Sequence, residues 1–297
     1  MAFDTESYLR EQKAIVDKTL DEFLPPEDTM PKVIHRAMRY SVFAGGKRIR
    51  PILAMAAAKA VGGKEEVLLR PACALECIHT YSLIHDDLPA LDDDDLRRGK
   101  PSCHKQFGEA NAILAGSALL TLAFQILSAY PPGKEHAAAR ARAVEEISRA
   151  IGAAGMIAGQ AVDLEMQDRE FTEEEILYIH LHKTGALIAV SLKLGGILSG
   201  AEEEALAALE ETGKKLGLCF QIVDDVLNVE GDARALGKAT GSDASARKAT
   251  YPALFGIPQS QKRAKALTDE ALDAMKDWGE DAEPLRGLAR YLLARSS

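Results

Sequence analysis

The sequence predicts an all-α protein folded as a single large helical bundle. Apolar residues recur at three- and four-residue spacing through most segments, alanine is abundant, and sustained period-two runs of β-branched or aromatic residues are absent. With 297 residues, 47% of them apolar, the chain can bury a substantial core. Glycine and proline occur as isolated punctuation rather than in tracts that would mark a linker. One domain spanning 1–297 follows.

Helical periodicity predicts helices over 5–23, 31–43, 49–61, 65–88, 105–130, 137–168, 173–199, 203–230, 259–277 and 283–294. Between the second and third stands Gly45-Gly46-Lys47-Arg48-Ile49-Arg50-Pro51, in which paired glycines let the backbone turn closely and three cations follow. The stretch 110–133 carries no charged residue and could cross a bilayer on length alone. Its Asn111, Ser117, Thr121, Gln125 and Ser128 favour instead a buried central helix, apolar all round as the middle of a large bundle requires. Thr172-Glu173-Glu174-Glu175 reads as a capping box opening the next helix. Residues 231–252 are polar, glycine-punctuated and without an apolar period, which predicts a binding loop or lid rather than a passive linker.

A net charge of -9 argues against nucleic acid or an anionic membrane surface as the main partner. Any anionic ligand would need local basic clusters. The four cysteines lack disulfide-framework density, and the opening MAFDTESYLR lacks the basic-then-apolar layout of a secretory signal, so a reducing, cytoplasmic setting is expected. Cys73, Cys77, Cys103 and His104 show no zinc-ligand spacing.

The strongest chemical feature is HDDLPALDDDDLRRG at 85–99, where carboxylates crowd at the end of an apolar helix. A charge run is usually a solvated face. Here Cys77, Ile78, Leu83 and Ile84 upstream should be buried, so Asp86 and Asp87 are expected to line a cavity. Hard oxygen ligands select Mg2+, which takes one or two carboxylates and completes its shell with water and substrate phosphate oxygens. On an ideal helix Asp93 would share the face of Asp86 and Asp92 would not, but Pro89 can distort that turn, and geometry leaves the choice open. A second acidic pair lies in CFQIVDDVLN, where Gln221, Asp224, Asp225 and Asn228 occupy one helix face. Two such clusters can clamp a metal-diphosphate complex from both sides. The cations of 45–51 supply a candidate diphosphate site, since arginine bonds phosphate oxygens bidentately and lysine acts as a point charge.

Two aspartate-rich motifs in this order, with GGKRIRP upstream and a lysine-bearing loop after the second, resemble the trans-prenyl diphosphate synthases over nearly the whole chain. DDLPALDDDDLRRG is similar to the longer first motif of the bacterial type of farnesyl diphosphate synthase. The resemblance implies the isoprenoid synthase type of bundle around a central cavity. It implies Mg2+ on Asp86, Asp87, Asp92 and Asp224, and isopentenyl diphosphate at Lys47, Arg50, His79 and Arg98. Arg97, Lys183, Thr184, Gln221, Lys238 and Lys248 would then face the allylic diphosphate and carbocation, with Lys183, Lys238 and Arg97 as the catalytic cations. Two departures stand out: DDVLN where the family has DDxxD, and Ser117 where an aspartate commonly follows the glycine.

The activity so implied is condensation of isopentenyl diphosphate with dimethylallyl or geranyl diphosphate, with a homodimer as the assembly. A class I terpene cyclase would carry a different second metal motif and no GGKRIRP, a membrane prenyltransferase would need several spanning segments, and a calcium-binding scaffold would show EF-hand spacing. For product length, Tyr81 stands five residues before Asp86, about 7.5 Å up the helix. In the resembling family an aromatic residue there accompanies farnesyl products, and smaller residues accompany geranylgeranyl products.

Overall fold

The computed structural model describes residues 3–166, 169–230 and 250–294. Its long helices are α1 (Thr5–Phe23), α2 (Lys32–Val42), α3 (Ile49–Ala60), α4 (Glu65–Asp86), α6 (Glu109–Ala129), α7 (Ala137–Ile151), α8 (Met156–Glu165), α10 (Ala186–Leu198), α11 (Glu203–Glu230), α13 (Ile257–Ala274) and α14 (Glu283–Leu293). Three short helices intervene: α5 (Cys103–Phe107), α9 (Glu173–Ile179) and α12 (Tyr251–Phe255). The all-α expectation holds, and Thr172 forms the capping box, its side chain accepting from Glu175 N while Glu175 caps Thr172 N.

The centre is built from α4, α3, α10 and α11, which pack side by side in that order, with α6 laid against α4 and α13 against α11. Small residues set these distances. Every residue of α3 from Ile49 to Ala58 is buried, and Gly195 of α10 sits where an added Cβ would come within 2.8 Å of Ala58 N. Side chains of alanine size therefore let two helix backbones approach directly, and the larger Leu, Ile and Met side chains fill the layers to either side.

Three predicted helices are interrupted. Gly108, at φ 83°, splits 105–130 into α5 and α6. Turns at 152–155 divide 137–168 into α7 and α8. Within 173–199 the backbone opens into a π-helical turn over His180–Gly185. A two-residue hairpin, β1 (Leu96–Arg97) with β2 (Lys100–Pro101), was not anticipated. Its turn residues Arg98 and Gly99 both have positive φ, 55° and 76°, as a type I′ connection requires.

The uncharged stretch corrects its expectation of complete burial. Helix α6 is apolar enough to span a bilayer, yet only 39% of its most apolar window is buried; Glu173–Leu198 passes the same composition test with 67% of its window buried. One face of α6, with Ala112, Ala115, Leu119, Ala123 and Leu127, packs inward, while Ile113 and Leu114 stay 48% and 55% exposed.

Candidate active site

A cavity of about 700 Å³ opens between the end of α4, the hairpin, α8, the π turn and α11. Helix α4 stops at Asp86 with Asp87 as its C-cap, as Pro89 would impose. The chain then folds back: Asp92 N donates to Asp86 O at 2.9 Å, so Asp86 and Asp92 both line the cavity. Asp93, at φ 48°, stays outside with a largely exposed carboxylate near Lys105. The helix-face argument for Asp93 fails because no helix continues to carry it.

Burial pushes the Asp86 carboxyl up to about 6; Lys183 and Arg97 oppose the rise, and the like charges of Asp92 and Asp87 add to it. Asp87 takes a different place from the one implied. It is 2% exposed and lies under the Arg97 guanidinium, which donates to both of its oxygens and also reaches Asp94 at 3.0 Å. In this geometry Asp87 holds Arg97 toward the cavity and does not itself line it.

The basic pocket is assembled around Gly45 and Gly46, both at φ 118°. Arg98 donates to Gly45 O, and a side chain on Gly46 would collide with its guanidinium. Arg50, Arg98 and His79 line the cavity here. Burial first, then the positive field of Arg50, Arg98, Arg97 and Arg48, holds His79 well below the ordinary imidazole range. His79 is thus a neutral hydrogen-bonding group among arginines. Two of the cations in GGKRIRP lie elsewhere. Lys47 is exposed, its ammonium 5.5 Å from the Tyr291 ring centre, and it does not line the cavity. Arg48 turns inward, 2% exposed, onto Glu76 and Asp17.

Facing the aspartates, Lys183 donates to Asp163 at 2.6 Å. Burial pulls its pKa down, but Asp163, Asp86 and Asp92 outweigh that and hold it above the ordinary lysine value. Thr184 donates to Gln221 at 2.8 Å, and Asp224 and Asn228 lie on the same wall. Lys238 and Lys248, with most of the predicted loop, lie outside the described residues. Asp163 and His180 were missed in the sequence. An acid at Asp163 within the apolar helical text AGQAVDL was the available signal; for His180 there was none.

Tyr81 lines the cavity at 7% exposure and meets His85 edge-on, ring centres 5.5 Å apart. His85 in turn rests on Gly116 of α6, where a Cβ would strike the imidazole, with Nε2 3.2 Å from Ile113 O. Ser82 also lines the cavity.

A helical bundle whose cavity faces carboxylates on α4 and α11 with an arginine-rich pocket beside them is built for a polyanion and its counter-cations. The polyprenyl synthetase family profile matches residues 31–284. The chain is 44% identical over 301 residues to the heterodimeric geranylgeranyl pyrophosphate synthase large subunit 1 of Arabidopsis thaliana, covering 100% of this chain and 81% of that one. It is 43% identical over 290 residues to farnesyl diphosphate synthase of Geobacillus stearothermophilus, covering 98% and 97%. The fold superposes on a geranyltransferase of Helicobacter pylori, solved with magnesium and isoprenyl diphosphate, at a TM-score of 0.87 and 31% identity over 98% of each chain. The chain belongs to the polyprenyl synthetase family, as a short-chain trans-prenyl diphosphate synthase. Relatives making either the farnesyl or the geranylgeranyl product appear at equal similarity, so chain length is not decided by resemblance.

Proposed function

We propose that the protein condenses isopentenyl diphosphate with dimethylallyl and then geranyl diphosphate, releasing pyrophosphate and ending at farnesyl diphosphate. The observation that carries the product length is Tyr81, whose ring lies in the cavity wall on the helix that ends at Asp86. A chain growing from a diphosphate held at Asp86 and Asp92 meets that ring and the His85 behind it.

The carboxylates fit a divalent cation. Asp86, Asp92 and Asp224 aim into one cavity, and the rise of Asp86 to about 6 reflects burial and like charge that a cation would relieve. Asp86, Asp92 and Asp224 would hold Mg2+, which when bound supplies charge stabilisation to the departing pyrophosphate; the Helicobacter pylori relative was solved with that metal. Asp87 supports the site through Arg97. Arg97 and Lys183 face the allylic diphosphate and take up charge as its carbon-oxygen bond breaks, while Arg50, Arg98 and neutral His79 seat isopentenyl diphosphate. The isopentenyl double bond attacks the allylic carbon, and a proton then leaves the new chain for the pyrophosphate. The wall residues Met156, Ile157, Leu164 and Leu187 exclude water from the cation.

Incubating the protein with isopentenyl diphosphate and each allylic diphosphate, with and without Mg2+, and identifying the prenyl alcohols after phosphatase treatment tests this directly. Mainly C15 product is expected. Tyr81→Ala should shift the product to C20 or longer; an active, folded variant that still made only C15 would move the floor to another residue.

A homodimer and a cytoplasmic location belong to the same proposal. The exposed apolar side chains of Ile113 and Leu114 on α6 support the first, and four cysteines that form no disulfide fit the second. Light scattering at micromolar protein is expected to give twice the chain mass, and Leu114→Glu to shift it toward the monomer. A concentration-independent monomer would refute the dimer and leave the chemistry untouched.

A further inference from the structure

The π turn over His180–Gly185 carries Lys183 and Thr184 into the cavity. Such a turn is wider than the α-helix around it and persists only where its surroundings over-determine it. A chain of three contacts spans it from one end to the other. His180 Nε2 lies 3.2 Å from Asp225 Oδ2, Gln221 Nε2 donates to Asp225 Oδ1 at 3.0 Å, and Thr184 Oγ1 donates to Gln221 Oε1 at 2.8 Å. Residues 180 and 184 are thereby tied to two positions one turn apart on α11.

We infer that Asp225 and Gln221 form a clamp across the π turn, and that Asp225 is a positioning residue for Lys183 and Thr184 rather than a metal ligand. The carboxylate is already occupied, since Oδ2 also accepts from Tyr251 N at 2.8 Å. Asp225 and His180 are both buried, and His180 Nδ1 has no hydrogen bond among the described residues, so its ring is fixed through Nε2. The Tyr251 ring lies roughly parallel to that imidazole, 6.4 Å away.

Backbone packing explains why the clamp matters. A Cβ on Gly217 of α11 would come within 2.6 Å of Gly185 Cα, and one on Gly159 of α8 would collide with the Lys183 backbone. The turn is gripped between two helices with no side-chain layer to absorb a shift. A displacement of the turn therefore moves the Lys183 ammonium away from Asp163 and from the cavity that Asp86 and Asp92 line.

The kinetic consequence rests on the prenyl-transfer reading; the clamp itself is tested without substrate. Hydrogen exchange in peptides covering 180–185 is expected to speed up at least ~10-fold in Asp225→Ala and about 3-fold in His180→Phe, which keeps the ring against Tyr251 but removes its bond to Asp225. With substrates, Asp225→Ala should raise KM for the allylic diphosphate about 10-fold, while the Mg2+ concentration giving half activity stays within about 2-fold. Asp225→Asn should recover most of both losses. Its amide oxygen still accepts from His180 and Tyr251 N, and its NH2 can donate to Gln221 Oε1 once that amide turns to offer Nε2 to Thr184. If Asp225→Ala does not fold, His180→Phe and Asp225→Asn carry the test. Unchanged exchange across 180–185 in folded His180→Phe overturns the clamp. So does a Mg2+ requirement raised as much by Asp225→Asn as by Asp224→Asn, the result a direct ligand would give. Faster exchange in a protein without prenyl-transfer activity would uphold the clamp and sink the activity reading alone.

Discussion

Asp224→Ala and Asp86→Ala are each expected to lower turnover by about 10²–10³-fold, the scale of losing one preorganised charge-stabilising contact, while the helical far-UV signal stays that of the parent protein. The two residues line one cavity from different helices, at the end of α4 and on α11, so neither replaces the other. Steady-state rates at saturating Mg2+ check this, and full activity in either variant would remove that residue from the metal clamp.

Asp86 carries a second, opposite expectation for stability. In the folded protein its carboxyl keeps its proton to about pH 6, against a model-peptide value of 3.8, because burial and the charges of Asp92 and Asp87 disfavour ionisation. Between those values the folded state binds more protons than the unfolded chain, so stability falls as pH rises through the window. At about 1.4 kcal/mol per pKa unit, the loss is on the order of 2–3 kcal/mol once the group is fully ionised. In metal-free buffer Asp86→Asn should therefore melt above the parent protein at pH 8 and close to it at pH 4. A gap independent of pH would show that the carboxylate is not strained in the empty cavity. Activity and stability pull in opposite directions at this residue, as expected where like charges are gathered for a ligand to neutralise.

Much of this site was legible because its chemistry is repeated in the sequence. Asp86, Gln221 and Asp224 stand on apolar helical text whose period and neighbours direct them to an interior, whereas Asp92, Arg97 and Lys183 are reached only through the family resemblance; all six line the cavity. What stayed illegible depends on backbone events with weak local signals. The π turn is a one-residue change in a continuous helical pattern, and the hairpin at 96–101 has strands of two residues, too short for an alternation to register. Residue type alone also could not separate cations that face a ligand from cations that face the core. Arg48 and Arg50 differ by two positions in one motif, yet Arg50 enters the cavity and Arg48 is consumed by Glu76 and Asp17. Helix α6 shows the converse: uniform apolarity fits a core helix and a partner-facing one equally, and only the packing reveals the uncovered Ile113 and Leu114.

Arg48→Met is expected to destabilise the fold by about 3–5 kcal/mol, the cost of stranding one member of a buried ion pair. Arg48 occupies the left-handed region at φ 53° as the residue that starts α3. Its three guanidinium nitrogens each have a partner: Nε donates to Asp17 of α1 at 2.6 Å, one terminal nitrogen to Glu76 of α4 at 2.7 Å, and the other to Val42 O at the end of α2 at 2.7 Å. Four helices meet on this one side chain, and Glu76 is only 2% exposed. Burial would lower the guanidinium pKa, but Glu76 and Asp17 raise it above its ordinary value, so the charge is held at every accessible pH. Removing it leaves the Glu76 carboxylate buried without a counter-charge. Lysine should rescue little, because a point charge on a flexible stem cannot make three bonds in the planes that the guanidinium serves. The double variant Arg48→Met/Glu76→Leu should regain most of the lost stability, since the penalty lies in the stranded charge and not in the absence of the pair. Urea midpoints for the parent, both single variants and the double variant measure this coupling. If Arg48→Met cost less than about 1 kcal/mol, or the double variant were no more stable than the single one, Arg48 would not be the anchor of this junction. Because the anchored turn also carries Gly45, Gly46 and Arg50, a folded Arg48→Met protein assayed below its melting range should show a raised KM for isopentenyl diphosphate with the KM for the allylic partner little changed.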